Sequence, residues 1–102
     1  FILPSVVTRG DLQIAVSTNG RSPAMARWAR RHLETVFTDV HRRTLDLLSE
    51  IRDEVRAARG TSEVSGWDDV IDDELFELVA THCLDEARQR VRVAVGLEGV
   101  PA

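Results

Sequence analysis

The sequence predicts an α+β fold, an N-terminal β-hairpin followed by a mainly α-helical bundle of about four to five helices. Two observations carry that expectation. Leu12, Ile14 and Val16 alternate with Gln13, Ala15 and Ser17, the period of two of a strand with one better-buried face. From Ser22 onward apolar residues recur at helical spacing, interrupted by cap residues and one short linker, TSEVSG.

Taken in order, FILPSVV and LQIAVS flank the turn-like TRGD, where Gly10 and Asp11 favour a reversal. This predicts strands over 1–7 and 12–18. Pro4 has no N–H to give a ladder, so the first strand is expected at an edge or with a bulge. A two-stranded hairpin is marginal alone in water and needs further pairing. The first helix is expected just after Ser22, a good N-cap, with Pro23 at the first helical position. Ala26, Ala29, Leu33 and Val36 follow helical spacing, with Arg27, Arg30, Arg31 and Glu34 mostly on the other side. Thr38 is the expected cap of a second helix, with Asp39 in its first turn and Asp39–Arg43 an acid-first pair. Its stripe runs through Val40, Leu47, Leu48, Ile51, Val55 and Ala58, and Gly60 is the stop. Ser65 is the expected cap of a short helix containing Trp67, Val70 and Ile71. Asp72 or Asp73 starts another, with Phe76, Val79 and Cys83 on one face. Asp85 is the expected cap of the last, whose stripe is Leu84, Ala87, Val91 and Ala94. Gly96, Gly99 and Pro101 predict a frayed tail. The domain division expected is 1–36, hairpin plus first helix, and 37–102, helical.

The chain has 102 residues, 43% hydrophobic and 29% charged, which suits one compact domain or two small coupled units and argues against global disorder. At this size folding buries about two-thirds of the unfolded chain's surface, enough for a modest core but not a large enclosed enzyme interior. The net charge of -4 disfavours nucleic acid. All 13 basic residues are arginine, which removes Schiff-base lysine chemistry and a P-loop lysine. Cys83 is the single cysteine, so no internal disulfide forms, and a reducing cytoplasm is the expected compartment. No apolar run spans a membrane and no signal-peptide pattern is present. Phe1 opens directly on a strand pattern, so a longer protein is expected around this chain.

Most of the chemistry-bearing residues have bland readings. There is no G-x-G-x-x-G and no Walker A pattern. His32, His41, His82 and Cys83 lack zinc-ligand spacing. Asp68-Asp69 and Asp72-Asp73-Glu74 lack the spacing and central glycine of a calcium loop, and read as caps and a solvated face. Trp28 and Trp67 read as packing residues. The stretch Ser17-Thr18-Asn19-Gly20-Arg21-Ser22 is different. It joins a strand to a helix N-terminus, where free N–H groups and the helix dipole favour an anion. Arg21 adds a fork suited to a carboxylate, and Ser17, Thr18 and Ser22 add hydroxyls. A serine-capped strand–turn–helix joint without any ligand is the competing reading.

The order F-I-L-P-S-V-V, L-Q-I-A-V-S-T-N-G-R-S-P-A-M-A-R, R-R-H-L-E resembles the siroheme synthase family, more narrowly precorrin-2 dehydrogenase/sirohydrochlorin ferrochelatase. The motif A-V-S-[ST]-x-G-x-S-P-x-[hydrophobic]-A-R is met by Ala15, Val16, Ser17, Gly20, Ser22, Pro23, Ala26 and Arg27, with Phe1, Pro4 and Ser5 in the hairpin. The resemblance covers residues 1–35; the remainder matches as a helical region of suitable length. Asn19 and Arg21 stand where smaller residues are common. The resemblance implies a dinucleotide-binding Rossmann domain, a central dimerisation region and a C-terminal helical region, with this chain starting inside the second. It implies oxidation of precorrin-2 to sirohydrochlorin with NAD, ferrous iron insertion as a second activity that some relatives lack, and a homodimer. The tetrapyrrole's carboxylates would meet Ser17, Thr18, Asn19, Gly20, Arg21 and Ser22. The family's acid/base aspartate and its NAD site fall outside this chain, so no catalytic, cofactor or metal residue is assigned here, and the chain alone is expected to be inactive. The alternative is a non-catalytic self-association or regulatory module.

Overall fold

The computed structural model describes residues 4–97. It contains β1 (Ser5–Arg9), β2 (Leu12–Val16), α1 (Pro23–Val36), α2 (Asp39–Arg59), α3 (Trp67–Val70), α4 (Asp73–Ala80) and α5 (Leu84–Ala94). This is the expected α+β order, a hairpin followed by helices. The chain divides into two compact units, residues 1–42 and 43–102, so the start of α2 goes with the hairpin.

In the first unit β1 and β2 pair antiparallel, with Ser5 opposite Val16 and Arg9 opposite Leu12. The turn is tighter than TRGD suggested. Thr8 and Arg9 stay in the strand, and Gly10-Asp11 alone make the reversal, with Gly10 at φ +63°. A positive φ at the first turn position is where glycine is favoured in a two-residue hairpin. The part of the first strand expected over 1–3, Phe1 included, lies outside the described residues, as do Gly99 and Pro101.

Helix α1 begins as its sequence demands. The Ser22 hydroxyl accepts from the Met25 N–H at 3.1 Å, and Pro23 occupies the first position. Its other end is closed by a residue the sequence did not suggest. Arg9 of β1 donates from Nε to the Phe37 carbonyl at 2.8 Å and from Nη2 to the Glu34 carbonyl at 3.1 Å. A strand cation thus satisfies carbonyls that α1, with no basic residue in its last turn, leaves open. The helix packs on both strands, yet none of its residues is buried. Val7 supplies the buried apolar side chain of the hairpin.

Thr38 starts α2 through a reciprocal cap. Its hydroxyl accepts from the Val40 N–H at 3.3 Å, while His41 Nδ1 accepts from the Thr38 N–H at 3.0 Å. This is capping-box logic with histidine in the place of the usual Glu or Gln. Gly60, at φ +75°, ends the helix.

In the second unit Leu47, Ile51, Val55, Val70, Leu75, Val79, Ala87, Val91 and Val95 form the core. Polar bridges between α2 and the α4–α5 segment advance in step: Arg43 to His82, Glu50 to Arg88, Glu54 to Arg92 and Arg59 to the Gly96 carbonyl. Both partners rise together, so α5 runs alongside α2 in the same sense. Arg59 also satisfies a carbonyl just past the end of α5.

Three local expectations are corrected here. Ser65 does not cap α3; Gly66 does, in a left-handed conformation at φ +105°. A Cβ at Gly66 would lie 2.0 Å from the Ala94 carbonyl oxygen, so a long-range approach fixes that position. Cys83 is not on the α4 face, because α4 stops at Ala80. The Cys83 N–H bonds the Leu78 carbonyl and the His82 N–H bonds that of Val79, a Schellman closure with His82 at φ +62°. That closure delivers Cys83 directly to the N-cap of α5. Asp85 is therefore a first-turn residue and not the cap.

Candidate functional site

The joint between β2 and α1 folds on itself before it offers anything to a ligand. Asn19 and Gly20 both have positive φ, 56° and 76°, and the Arg21 N–H bonds the Thr18 carbonyl at 3.1 Å. Two central residues at positive φ define a type I′ turn, for which Asn-Gly is the preferred pair. The Thr18 hydroxyl accepts from the Ser22 N–H at 3.0 Å and donates to the Ser22 carbonyl at 3.2 Å. The Asn19 N–H bonds Ser17 Oγ at 3.1 Å.

These bonds use most of the donors expected to face an anion. The N–H groups of Asn19, Arg21, Ser22 and Met25 all have internal partners, and Pro23 has none to give. The helix entrance is therefore a rigid, largely self-satisfied wall rather than a row of open N–H groups.

Beside this wall lies a recess of about 150 Å³, lined by Ser5, Val16, Ser17, Thr18, Gly20, Pro23, Ala26 and Arg27. Of the residues singled out from the sequence, Ser17, Thr18 and Gly20 line it. Asn19, Arg21 and Ser22 do not; they build the turn and the cap behind it. Ser5 and Arg27 join from outside the stretch. Arg27 was legible: it stands four residues after Pro23, and helical side chains lean toward the N-terminus. Ser5 needed the hairpin register, which sets it opposite Val16 at the same end of the sheet.

The other chemistry-bearing groups are occupied structurally. Asp72 caps α4 by accepting from the Leu75 N–H at 2.9 Å and pairs with Arg90 at 2.7 Å. The Leu75 N–H is the largest cause holding its carboxyl below the usual carboxylate value; desolvation opposes it, and the hydrogen bond and charge of Arg90 add to the lowering. Glu74 pairs with the same arginine at 3.2 Å. Among the described residues no three His, Cys, Asp or Glu side chains converge as a metal-ligand set, and no helix is long and apolar enough to cross a membrane. Trp67 packs as expected, its indole N–H donating to the Ser62 carbonyl at 2.9 Å.

Trp28 does not. It is 58% exposed, with Met25 at 55% and Val36 at 47% on the same helix, and its ring stacks on His32 at 5.4 Å. The expectation of a packing residue is therefore corrected: apart from the His32 stack, this side chain stays largely exposed.

Comparison with known proteins bears on this joint. The family model "Sirohaem biosynthesis protein central" matches residues 9–35, from the end of β1 through nearly all of α1. The chain is 30% identical over 94 residues to a siroheme synthase of Psychrobacter sp. (strain PRwf-1), covering 90% of this chain and 19% of that protein. It is 31% identical over 101 residues to a siroheme synthase of Methylobacillus flagellatus, covering 97% and 22%. Against a siroheme synthase of Xylella fastidiosa (strain M12) it is 42% identical over 55 residues, 54% of this chain and 12% of that protein. The chain spans about a fifth of the length of the first two relatives.

Proposed function

This chain belongs to the siroheme synthase family, and we propose that it supplies the self-association region and one wall of the tetrapyrrole site in an enzyme of siroheme biosynthesis. The enzyme oxidises precorrin-2 to sirohydrochlorin with NAD and, where the second activity is retained, inserts ferrous iron as a substrate. NAD supplies the hydride acceptor. The residues described here do not fit it. The sheet is an antiparallel hairpin, and the joint into α1 spends most of its N–H groups internally, so no step is assigned to this chain's residues through that cofactor.

The observation that carries the reading is the recess at Ser17, Thr18 and Gly20, which lies in the segment matched by the family model. Its volume separates two ways of binding. Pockets that enclose drug-sized ligands measure about 300–1,000 Å³. A recess of about 150 Å³ takes an edge group of a macrocycle, such as a carboxylate arm, while the ring lies outside. Self-association is supported by α1, which buries no side chain and exposes Met25, Trp28 and Val36. A second copy would cover that face and give the two-stranded hairpin the further contacts it needs.

A non-catalytic self-association or regulatory module draws on the same exposed residues and needs no ligand. Titration of the full-length protein with sirohydrochlorin, followed by absorbance, separates the two. Saturable binding, together with NADH formation from precorrin-2, is expected. No binding and no turnover would leave only the module.

A further inference from the structure

We propose that Arg27 is the carboxylate-receiving cation of the β2–α1 recess and that Arg21, the arginine within the loop, is not. This rests on the reading of the recess as part of a tetrapyrrole site and deepens it by naming the residue that holds a substrate arm.

Elimination among the cations of the first unit leads to Arg27. Arg9 is committed to the carbonyls of Glu34 and Phe37. Arg30 pairs with Glu34 at 2.5 Å, and Arg42 with Asp39 at 2.6 Å. The side chains of Arg21, Arg27 and Arg31 make no hydrogen bond or ion pair among the described residues. Of these three, only Arg27 lines the recess. Arg21 follows the Asn19-Gly20 turn, its N–H anchored to the Thr18 carbonyl, and its side chain is absent from the recess wall.

The surroundings supply the reason an arginine is needed. The N–H groups of Asn19, Arg21, Ser22 and Met25 are taken up by Ser17, Thr18 and Ser22, so few backbone donors are left to neutralise an anion here. Among the described residues no carboxylate lines the recess to quench the cation. The remaining lining is small, Ser5, Ser17, Gly20 and Ala26 among it, which leaves the guanidinium room to meet a carboxylate with two parallel N–H···O bonds. Arg27 stands one turn inside α1, a regular helix pinned at its start by the Ser22 cap. The fork is thus carried on a fixed element, whereas Arg21 rides on the turn.

The test uses the full-length protein and its Arg27→Ala, Arg27→Gln, Arg27→Lys and Arg21→Ala variants, with sirohydrochlorin affinity read by absorbance titration and precorrin-2 KM and kcat measured alongside. Arg27→Ala and Arg27→Gln are expected to weaken binding about ten- to hundredfold. Arg27→Lys should restore part of that loss, because a point charge replaces a fork. Arg21→Ala should stay within about twofold, because that side chain does not line the recess. The Gln variant keeps polarity and most of the side-chain length, so its loss reports charge rather than packing. Wild-type binding with unchanged affinity in Arg27→Gln would overturn the assignment and leave the site standing. A larger loss in Arg21→Ala than in Arg27→Ala would also overturn it. A wild type that binds no sirohydrochlorin would remove the site itself and Arg27's role with it.

Discussion

Thr18 and Ser22 form a closed pair: the Thr18 hydroxyl accepts from the Ser22 N–H at 3.0 Å and donates to the Ser22 carbonyl at 3.2 Å. One side chain thereby fixes the residue that caps α1. Replacement by alanine leaves a part-buried N–H and C=O without that partner, a loss of about 1–3 kcal/mol. Thr18→Ser keeps the hydroxyl and should stay near the wild type. Urea unfolding of the two variants measures the difference; equal midpoints would mean the pair is dispensable.

Gly66 and Gly60 both hold positive φ but meet different surroundings. A Cβ at Gly66 would sit 2.0 Å from the Ala94 carbonyl oxygen, whereas nothing lies within 4 Å of one at Gly60. Gly60→Ala therefore carries only the left-handed cost, about 1–2 kcal/mol. Gly66→Ala adds displacement of the last turn of α5 and should exceed it by at least about 2 kcal/mol. Thermal unfolding of the pair checks the ranking, and similar midpoints would contradict the close approach.

Asp72 gives the fold an acid-sensitive point. Its folded-state pKa lies below the usual carboxylate value, so its contribution is complete above the unfolded-state pKa and is lost as pH falls through the folded-state one. Asp72→Asn keeps a competent cap but cannot titrate. The variant should lose less stability than the wild type between about pH 6 and pH 2.5. Identical pH profiles would show that the Leu75 and Arg90 contacts do not act on that carboxyl.

The exposed face of α1 predicts a homodimer that a charge would break. Trp28→Glu places a carboxylate on the face that carries Met25 and Val36 and should weaken self-association at least about tenfold. Light scattering on the full-length protein reads this directly. A wild type that stays monomeric at high concentration, or a dimer indifferent to Trp28→Glu, would remove the self-association reading.

Much of the fold was legible in the sequence because turns and caps are closed by partners a few residues away. Gly10-Asp11 made the hairpin turn, Ser22, Thr38 and Asp72 started their helices, and Gly60 ended one. Asn19-Gly20 carried a type I′ signal of the same local kind, one that reading the stretch as an anion cradle passed over. Tertiary structure decided what local chemistry cannot reach. Helical periodicity shows that a face is apolar but not whether anything lies against it, so Val36 at 47% exposed and the buried Val91 looked alike. The cap of α3 depended on Ala94, distant in sequence from Gly66, and the end of α1 on Arg9 of the hairpin. The same division runs through the candidate site. The sequence marked out the stretch from Ser17 to Ser22, and only the hairpin register, which sets Ser5 opposite Val16, and the helix following Pro23 decided which side chains share the recess, with Arg27 among them and Arg21 not.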